Sequence, residues 1–567
     1  MTLTVRDLSV RYSGLTAVDR INLDVADGEI LALVGESGCG KTSLARALLG
    51  LLPATAVTTG SARLGEDELA GRADWTGIRG KQVAIVPQGA MTGLSPVHRI
   101  GVQLEEMIEL HGGSSTPAGL LDRVGLSRSM LRCFPHELSG GQRQRVAIAL
   151  TMAGEPRLLV ADEPTTGLDA ITQRQVLELL ASLRISTLVV SHDLAGLMPY
   201  ANQVAVMYAG RLAEVRATST LSRDTAHPYT AGLLTAAPVA DRAVSWGSIP
   251  GSAPPLDHLP TGCRFAPRCP LAIQRCRDET PELRQYGDAL VACHRHAETD
   301  RPTYPVVPRA CESAGKTVAR LSGVRHTYRS RTRTVEALKG IDLDIRAGEI
   351  VGLVGESGSG KSTLARIVLG LIRPTGGRVE VADQDLTALR GRALRKLQQR
   401  LGFVHQDPYD ALHPGMRVVS IVSEPLVIAG VPRVARAPRV KAALAAAGLP
   451  DDLLQRFPDQ LSGGQRQRVS IARALVADPV LLIADEATSM LDVSSRAGIA
   501  TTLRSVATER GLAVVFVTHD LGEAVQSCDR IVVLRSGTIV EHGASAVLCR
   551  SPEHPYTAEL LQAAHTG

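Results

Sequence analysis

The sequence lacks the features that mark a membrane-spanning or secreted protein. No uninterrupted apolar run in its 567 residues approaches the roughly 20 residues that a helix needs to span a bilayer. The first residues, Met-Thr-Leu-Thr-Val-Arg-Asp-Leu, alternate polar and apolar side chains as a strand does, unlike the apolar core of a signal peptide. Both absences argue against insertion and secretion, so we expect the chain to stay in the cytosol.

The chain also has little net charge and few lysines. The formal net charge of +5 is too mild over this length to indicate a nucleic-acid partner. Only 7 of the 62 basic residues are lysines, yet two of them, Lys41 and Lys361, lie in glycine-rich loops. The apolar content of 44% and charged content of 21% are typical of a globular protein, and the length predicts several domains.

The most informative feature that is present is a repeated set of motifs. Three motifs occur twice in the same order: Gly35–Thr42 and Gly355–Ser362, Leu138–Gln142 and Leu461–Gln465, and Ala161–Glu163 and Ala484–Glu486. The offset between copies grows slowly, from 320 residues for the loop lysines to 327 residues for His192 and His519. Such a drift indicates that a whole domain was duplicated and then acquired small loop insertions.

Apolar periodicity predicts an α/β fold in each copy. Buried strands are predicted at Glu29–Val34, Leu158–Ala161 and Thr187–Val190, and again at Glu349–Val354, Leu481–Ala484 and Ala513–Val517. Strands that alternate with helices indicate a parallel sheet. The polar, helix-prone spans Ile100–Glu137 and Val418–Gln460 are predicted to form a helical subdomain inserted into each core.

The segment between the copies has a different character. From about residue 238 to 314 prolines cluster, and five of the nine cysteines of the chain fall here. We interpret it as a loop-rich connector that needs an internal staple. The predicted boundaries are therefore 1–235 for the first domain, 236–315 for the connector and 316–567 for the second domain.

Each glycine-rich loop follows a predicted strand and precedes a predicted helix, which favours phosphate binding over an ordinary glycine turn. Glycines let the backbone wrap a β-phosphate. Lys41 and Lys361 would reach the β- and γ-phosphates, and the hydroxyls of Thr42 and Ser362 would bind Mg²⁺. The predicted phosphate-binding residues are Gly35, Ser37, Gly38, Gly40, Lys41, Thr42, Ser43, Gly355, Ser357, Gly358, Gly360, Lys361, Ser362 and Thr363.

Paired carboxylates end one apolar strand in each copy. Asp162 and Asp485 can hold the Mg²⁺ shell through water. The next residues, Glu163 and Glu486, are placed to polarise an attacking water as general bases. Solvated loop carboxylates are the alternative interpretation, but the apolar strand in front of each pair disfavours it.

With these motifs the sequence resembles ATP-binding cassette (ABC) proteins that carry two nucleotide-binding domains in one chain, over roughly residues 1–235 and 316–567. The Leu-Ser-Gly-Gly-Gln pair is its most specific element, although Ser-Gly-Gly alone could be a helix cap. The resemblance implies that each such signature caps the ATP held by the other domain. The signature residues are Ser139, Gly140, Gly141 and Gln142, and Ser462, Gly463, Gly464 and Gln465.

The resemblance extends to other positions. Gln88 and Gln406 match the glutamine that senses Mg²⁺ and the membrane partner, and His192 and His519 match the histidine that contacts the γ-phosphate. Tyr12 and Tyr328 match the aromatic residue that stacks on adenine. The copies depart from the pattern after Gln88, where Gly-Ala-Met follows, and after Glu486, where Ala487 replaces proline. Neither change removes a reacting group, so both sites are expected to hydrolyse ATP, at rates that need not be equal.

A second repeated segment narrows the resemblance. His227–Thr230 returns as His554–Thr557, and both segments, with Gly262–Cys269, resemble the dipeptide, oligopeptide and nickel importer subfamily. The implied function is an ATPase subunit that energises peptide import through two separate permease subunits and an extracytoplasmic binding protein, on the cytoplasmic face of the cell membrane. Nickel or glutathione import is the alternative.

Two other classes of twin-cassette protein fit less well. A translation or ribosome-recycling ATPase would carry a long charged helical linker, or cluster cysteines before its first cassette, whereas this linker is rich in proline and cysteine. A DNA-repair ATPase would carry Cys-x-x-Cys pairs or long coiled coils, and neither is present in the sequence.

Four cysteines of the connector form the last candidate site. Cys263, Cys269, Cys276 and Cys293 have the spacing C-x5-C-x6-C-x16-C. Disulfides are improbable in the cytosol, Zn²⁺ suits four thiolates, and spacing alone does not choose the metal. Resemblance to the peptide-importer subfamily implies a structural [4Fe–4S] cluster, with Zn²⁺ or four unligated thiols as alternatives.

Overall fold

A computed structural model describes residues 3–89, 93–221, 224–238, 240, 246–296, 302, 304–306, 315–329, 334–489 and 491–565. Below, residues 3–235 are called the first half, 236–315 the connector and 316–565 the second half. The Gly-Ala-Met departure after Gln88 lies mostly outside the described residues, since only its glycine is among them. The described residues hold no helix with the length and apolar character needed to cross a membrane.

The strands and helices of the first half and the connector have the following bounds. They are β1 (Leu3–Tyr12), β2 (Leu15–Val25), β3 (Ile30–Val34), β4 (Ala56–Leu64), β5 (Asp67–Glu68), β6 (Val83–Val86), β7 (Leu158–Asp162), β8 (Ser186–Ser191), β9 (Gln203–Tyr208), β10 (Arg211–Ala217), β11 (Arg284–Tyr286) and β12 (Ala289–Val291). The helices are α1 (Lys41–Leu48), α2 (Ile100–His111), α3 (Pro117–Arg123), α4 (Gly140–Thr151), α5 (Ala170–Ser182), α6 (Leu194–Leu197), α7 (Thr218–Leu221), α8 (Pro228–Ala236) and α9 (Gln274–Asp278).

The second half repeats this order. Its strands are β13 (Thr317–Arg329), β14 (Thr334–Arg346), β15 (Ile350–Val354), β16 (Gly376–Val381), β17 (Gln384–Asp385), β18 (Leu401–Val404), β19 (Leu481–Asp485), β20 (Ala513–Thr518), β21 (Arg530–Arg535) and β22 (Thr538–Ala544). Its helices are α10 (Lys361–Val368), α11 (Gly391–Gln398), α12 (Pro408–Ala411), α13 (Val418–Ile428), α14 (Arg433–Ala446), α15 (Gly463–Leu475), α16 (Val493–Arg510), α17 (Leu521–Ser527), α18 (Ser545–Arg550) and α19 (Pro555–His565).

Each half is built on two sheets. An antiparallel sheet has the order β2-β1-β4-β5 in the first half and β14-β13-β16-β17 in the second. The larger sheets run β11-β12-β10-β9-β3-β8-β7-β6 and β18-β19-β20-β15-β21-β22, and their central strands pair in parallel. The strands β3, β7, β8, β15, β19 and β20 are buried along their whole length, as expected for parallel strands covered on both faces. The predicted α/β fold is confirmed.

Parallel order brings the motifs to one edge. The carboxyl ends of β3 and β7 lie beside β8, so the glycine loop, the carboxylate pair and the histidine all leave the same side of the sheet. The same holds for β15, β19 and β20 in the second half.

The connector is more ordered than a loop. Its strand β12 pairs with β10, Glu214 opposite Val291, and β11 pairs in turn with β12, so the connector extends the large sheet of the first half. Pairing covers an edge whose backbone groups would otherwise be unpaired. The sequence shows no alternating pattern long enough to predict these two three-residue strands.

The connector also lies against the second half. Trp246 is buried in a cluster with Ala497 and Ala500 of α16, and its indole N–H donates to the Ala236 carbonyl at 2.6 Å. The thiol of Cys549 donates to the Ala240 carbonyl at 2.7 Å. The connector therefore packs on both halves.

Candidate functional site

Both glycine loops have the conformation that their glycines predict. Gly40 and Gly360, which precede α1 and α10, have φ of 107° and 110°, a left-handed region that favours glycine. A Cβ atom on Gly40 would lie 2.3 Å from the Ala17 carbonyl oxygen. The loop backbone is therefore fixed by the local sequence and is wrapped too tightly for any side chain at this position.

The loop lysines are buried and rest on the loop itself. The Lys41 ammonium donates to the carbonyls of Gly35 and Glu36 at 2.7 and 2.9 Å. Lys361 makes the same bonds, to Gly355 and Glu356 at 2.6 and 2.8 Å. An incoming phosphate would replace these carbonyls as the partner of each ammonium group.

A hydroxyl and a carboxylate face each other at both sites. Thr42 Oγ1 lies 3.4 Å from Asp162 Oδ1, and Ser362 Oγ lies 3.5 Å from Asp485 Oδ1. Burial, followed by the charge of the neighbouring glutamate, raises the pKa of both aspartates. A divalent cation would relieve this unfavourable burial, and hard oxygen ligands of this kind suit Mg²⁺.

Three side chains contact the predicted base of the first half. Glu163 accepts from Gln88 Nε2 at 3.0 Å and from Thr166 Oγ1 at 2.9 Å, and His192 Nδ1 lies 3.4 Å away. Burial raises the pKa of Glu163, but its hydrogen bonds to His192 and to the Thr166 hydroxyl oppose burial, and the net effect lowers the pKa to about 2. The carboxylate is therefore charged at neutral pH.

The second half repeats this arrangement more loosely. Glu486 accepts from Gln406 Nε2 at 2.7 Å, while His519 Nδ1 lies 3.7 Å away. Burial raises the pKa of Glu486, whereas the interaction with His519 lowers it, and the net effect is a lowered pKa. Both glutamates have positive φ, 48° and 46°, which is uncommon for a residue with a Cβ and is found where a functional side chain must be aimed.

The histidine of the first half has a partner from the second half. Arg496 Nη2 lies 3.3 Å from His192 Nε2. Because arginine only donates, Nε2 must accept, which leaves the proton on Nδ1, facing Glu163. The residue at the same position of the first half is Gln173, four residues after Asp169, and it donates to the Thr165 carbonyl at 3.3 Å instead.

The tyrosines predicted to stack on adenine lie beside the glycine loops. Tyr12 OH donates to Ser43 Oγ at 3.2 Å, and Tyr328 OH lies 3.4 Å from Thr363 Oγ1. Tyr328 is 41% exposed, which leaves a ring face open.

A cavity of about 600 Å³ surrounds the second glycine loop. Its lining combines residues of the second half with Gly167 and Asp169 of the first half; the lining residues from the second half include Tyr328, Ser357, Gly358, Gly360, Lys361, Ser362, Thr363, Gln406, Glu486 and His519. Among the described residues that line it, none belongs to Leu138–Gln142. In this conformation the segment after Glu163, rather than the signature, faces the opposite loop.

The signatures begin helices. Ser139 Oγ accepts from the Gln142 N–H at 3.2 Å while Gln142 Oε1 accepts from the Ser139 N–H at 2.9 Å, a reciprocal cap at the start of α4. Ser462 and Gln465 form the same cap on α15. The helix N-terminus that the cap exposes is suited to an anion.

Two tyrosines outside the predicted site residues touch the glycine loops. The hydroxyls of Tyr229 and Tyr556 accept the backbone N–H groups of Glu36 and Glu356 at 2.9 and 3.0 Å. Both tyrosines belong to the repeated His-Pro-Tyr-Thr segment. Its recurrence in both copies was the available signal, but only the tertiary structure shows that the segment reaches the loops.

Four of the five cysteines of the connector, Cys263, Cys269, Cys276 and Cys293, lie near one another. Burial, and after it the charges of Cys263, Cys269 and Cys276, raise the pKa of Cys293 to about 12, and the Cys263 N–H donates to the Cys276 carbonyl at 2.8 Å. The described cysteines are free thiols. Among the described residues, however, no group of three or more His, Cys, Asp or Glu side chains is arranged to hold a metal ion. The geometry thus gives the predicted [4Fe–4S] cluster no support.

An apolar cavity of about 300 Å³ reaches Pro87, the residue that precedes Gln88 in the chain. Its lining includes Leu51, Ile85, Pro87, Met107 and Leu150. Such a concave apolar surface is suited to an apolar helix or loop of a partner.

Comparison with known proteins identifies families and relatives that this chain resembles. The family model described as "ABC transporter" matches residues 18–166 and 338–489, and the model described as "Oligopeptide/dipeptide transporter, C-terminal region" matches residues 213–276. The oligopeptide transport ATP-binding protein OppD of Mycobacterium tuberculosis is 40% identical, over 99% of this chain and 98% of its own length. The peptidoglycan transport ATP-binding protein YejF of Agrobacterium fabrum is 35% identical over 99% and 96%. The glutathione import ATP-binding protein GsiA of Salmonella typhimurium is 35% identical over 99% and 89%.

Proposed function

The chain belongs to the ABC transporter family, and from that premise we propose that it is the ATP-hydrolysing subunit of an importer of di- or oligopeptides. The observation that carries the cargo class is the match of residues 213–276 to the C-terminal region of oligopeptide and dipeptide transporters. Full-length similarity to the oligopeptide transport protein OppD supports it. The proposed domains are the two cassettes, 1–235 and 316–567, joined by the extension 236–315.

The site geometry supports a mechanism of hydrolysis. Lys41 and Lys361 would leave their loop carbonyls to bind the β- and γ-phosphates, and Thr42 with Asp162, or Ser362 with Asp485, would hold Mg²⁺. The bound ion would draw charge from the phosphate oxygens. Tyr12 and Tyr328 would contact adenine, and the two signatures would close on the phosphates from the opposite cassette.

The chemical step falls to the glutamates. Glu163 or Glu486 would accept a proton from a water whose oxygen bonds to the γ-phosphorus, while the bond to the bridging oxygen of ADP breaks. Gln88 and Gln406, which donate to Glu163 and Glu486, would couple each base to the membrane partner. His192 and His519 would orient the base and contact the γ-phosphate.

The proposed partners are two membrane permease subunits and, through them, an extracytoplasmic substrate-binding protein. The apolar cavity that reaches Pro87 is the surface we assign to a short helix of one permease, so that ATP-driven closure is transmitted as a gating step. The chain would then act at the cytoplasmic face of the cell membrane, and no nucleic acid is involved.

Glutathione is the second candidate cargo, because relatives that are 35% identical over 99% of this chain are glutathione import proteins. Stimulation of ATPase activity decides between them. The assembled transporter is reconstituted with its binding protein, and hydrolysis is measured with a peptide mixture, with glutathione and with neither. Stimulation by peptides is expected. Stimulation by glutathione alone would contradict the peptide assignment.

For the connector we propose that Cys263, Cys269, Cys276 and Cys293 hold a [4Fe–4S] cluster with a structural role. The proposal rests on the family resemblance and on the closeness of the four thiols. The described residues themselves show no metal-holding arrangement. Anaerobic purification and metal analysis test it. About four irons with sulfide per chain are expected, whereas a colourless protein with one zinc, or with no metal, contradicts it.

A further inference from the structure

The connector reaches into the first glycine loop through one buried ion pair. Arg268 lies between Cys263 and Cys269, and its guanidinium binds the Glu36 carboxylate through two parallel bonds, Nη1–Oε2 at 2.6 Å and Nη2–Oε1 at 2.9 Å. Both side chains are only 5% exposed. A bidentate arginine–carboxylate pair in such surroundings is strong and geometrically specific.

Arg268 is itself fixed on its other sides. Its Nε donates to the Pro250 carbonyl at 2.8 Å, and Nη1 also lies 3.2 Å from the Tyr208 hydroxyl. The Tyr208 ring contacts Tyr229 at 4.6 Å and Phe265 at 5.2 Å between ring centroids. The arginine is therefore held by the connector and by the aromatic cluster under the loop.

The second half contributes to the same carboxylate. The hydroxyl of Ser494, the second residue of α16, donates to Glu36 Oε1. The residue at the same position of the first half is Ile171, two residues after Asp169 as Ser494 is two after Asp492, and it packs against the apolar core of the second half. Isoleucine has no donor, so this bond has no counterpart in the other direction.

Glu36 thus connects these outside groups to the lysine. Its backbone N–H is held by Tyr229 and its carbonyl accepts from Lys41. The corresponding Glu356 makes the same backbone hydrogen bonds, to Tyr556 and Lys361. It is only partly buried, however, and among the described residues no ion pair joins its carboxylate to a cation. The side-chain clasp on the glycine loop is therefore a property of the first site.

We infer that Arg268 is a positioning residue of the first ATP site, and that through Glu36 the connector and α16 set the affinity of this site alone. The inference rests on the proposed ATP binding at both loops. The pair neutralises a carboxylate that would otherwise repel phosphate, and it holds the loop in the shape that the triphosphate meets. Losing the arginine leaves an unpaired buried charge beside the loop, which is costly.

The test measures each site separately in the full chain. Binding of a fluorescent ATP analogue with Mg²⁺ is titrated in a Lys361→Ala background for the first site and in a Lys41→Ala background for the second. In the first background, Arg268→Gln is expected to weaken binding about tenfold, the size of a 1.4 kcal/mol change. In the second background, it is expected to change binding less than about twofold, because its contacts lie at the first loop.

Arg264→Gln is the matched control. Arg264 docks the same segment on the first half through Asp19 and the Ala209 carbonyl, without a bond to the glycine loop. We expect it to leave first-site affinity within about twofold, since sites without shared partners behave independently. Equal weakening by the two arginine variants would reduce Arg268 to an anchor of the segment and overturn the inference.

Ser494→Ala carries the test if Arg268→Gln fails to fold, because it removes one hydroxyl and exposes no buried charge. A loss of about threefold at the first site is expected from removal of this single hydrogen bond, with no change at the second. Unchanged first-site affinity in every folded variant overturns the inference.

Lys41→Ala distinguishes a failure of the proposed ATP site from a failure of the positioning role of Arg268. With Lys361 intact, it is expected to abolish binding at the first site only. If it does so while Arg268→Gln and Ser494→Ala change nothing, the ATP site stands and only the positioning role falls. If Lys41→Ala itself has no effect, the proposed ATP site is wrong.

Discussion

Up to the lysine, the two glycine loops differ at one residue, which is Cys39 in the first loop and Ser359 in the second. The surroundings of the two loops nevertheless differ. The first loop has a buried glutamate clasped by Arg268 and Ser494, and its histidine meets Arg496 from the opposite half. The second loop has a partly exposed glutamate and an open cavity of about 600 Å³. The comparison teaches that identical motifs do not make equivalent sites, because the neighbours of a motif come from elsewhere in the chain.

The largest expected effect comes from the glutamates. Changing both Glu163 and Glu486 to Gln should lower ATP turnover by about 10²–10⁴-fold, the usual contribution of a general base, and leave ATP bound. The measurement is steady-state phosphate release beside nucleotide retention. Near-normal turnover in the double variant would remove both residues from the mechanism.

The single variants sharpen the comparison between sites. Glu163→Gln and Glu486→Gln each leave one base intact, so any difference in residual turnover reports unequal rates. If the two single variants keep the same turnover under saturating ATP, the structural asymmetry has no kinetic consequence.

The next effect is on stability against acid. Burial lowers the pKa of His227 to about 4, and its Nδ1 accepts the Tyr229 N–H, which requires the unprotonated atom. The unfolded chain therefore takes up this proton first as pH falls, so stability is lost between about pH 6.5 and 4. Because one pKa unit is worth about 1.36 kcal/mol, the loss is on the order of 3 kcal/mol.

His554 is the matched position of the second half and is only partly buried. Thermal unfolding between pH 4 and 7 should show a weaker pH dependence for His227→Asn than for the unchanged chain. His554→Asn should alter this dependence less. An equal response of both variants would contradict the difference in burial.

A smaller effect is expected from the tyrosines. Tyr229→Phe and Tyr556→Phe each leave one backbone N–H of a glycine loop without its partner, at a cost of about 1–3 kcal/mol. Because both hydroxyls make the same bond, nucleotide affinity should fall similarly at the two sites. A loss at only one site would show that the tyrosine contacts, too, are unequal.

The smallest expected effect concerns Arg496. Arg496→Gln gives the second half the residue found at the same position of the first half. Loss of its bond to His192 should slow hydrolysis at the first site by a few fold, in line with about 0.5–1.5 kcal/mol for one hydrogen bond. Single-turnover hydrolysis in a Lys361→Ala background measures it, with Gln173→Ala in a Lys41→Ala background as the control. Unchanged single-turnover rates in Arg496→Gln would show that its contact with His192 has no part in hydrolysis.

Much of the site could be predicted from local patterns. Lys41 and Thr42 come after β3 and Asp162 ends β7, and the parallel order of the sheet brings these strand ends together. The structure also brings Gln88 and His192 within hydrogen-bond reach of Glu163, contacts that the motifs did not predict. The prediction that a signature faces the opposite loop stays a prediction, since the described lining of the second cavity holds Gly167 and Asp169 instead. The predicted contact would require the two halves to close, and a sequence motif does not state in which conformation its contact forms.

The sequence by itself determined the α/β fold, the two glycine loops and the order of the predicted site residues along the chain. Those features depend on short-range geometry: glycines that allow left-handed backbone, apolar strands, and helix caps a few residues apart. Only the tertiary structure decided that Arg268, 232 residues away, and Ser494, 458 residues away, meet at Glu36. A buried ion pair depends on which surfaces pack together, and packing between distant segments leaves no periodic trace in the chain.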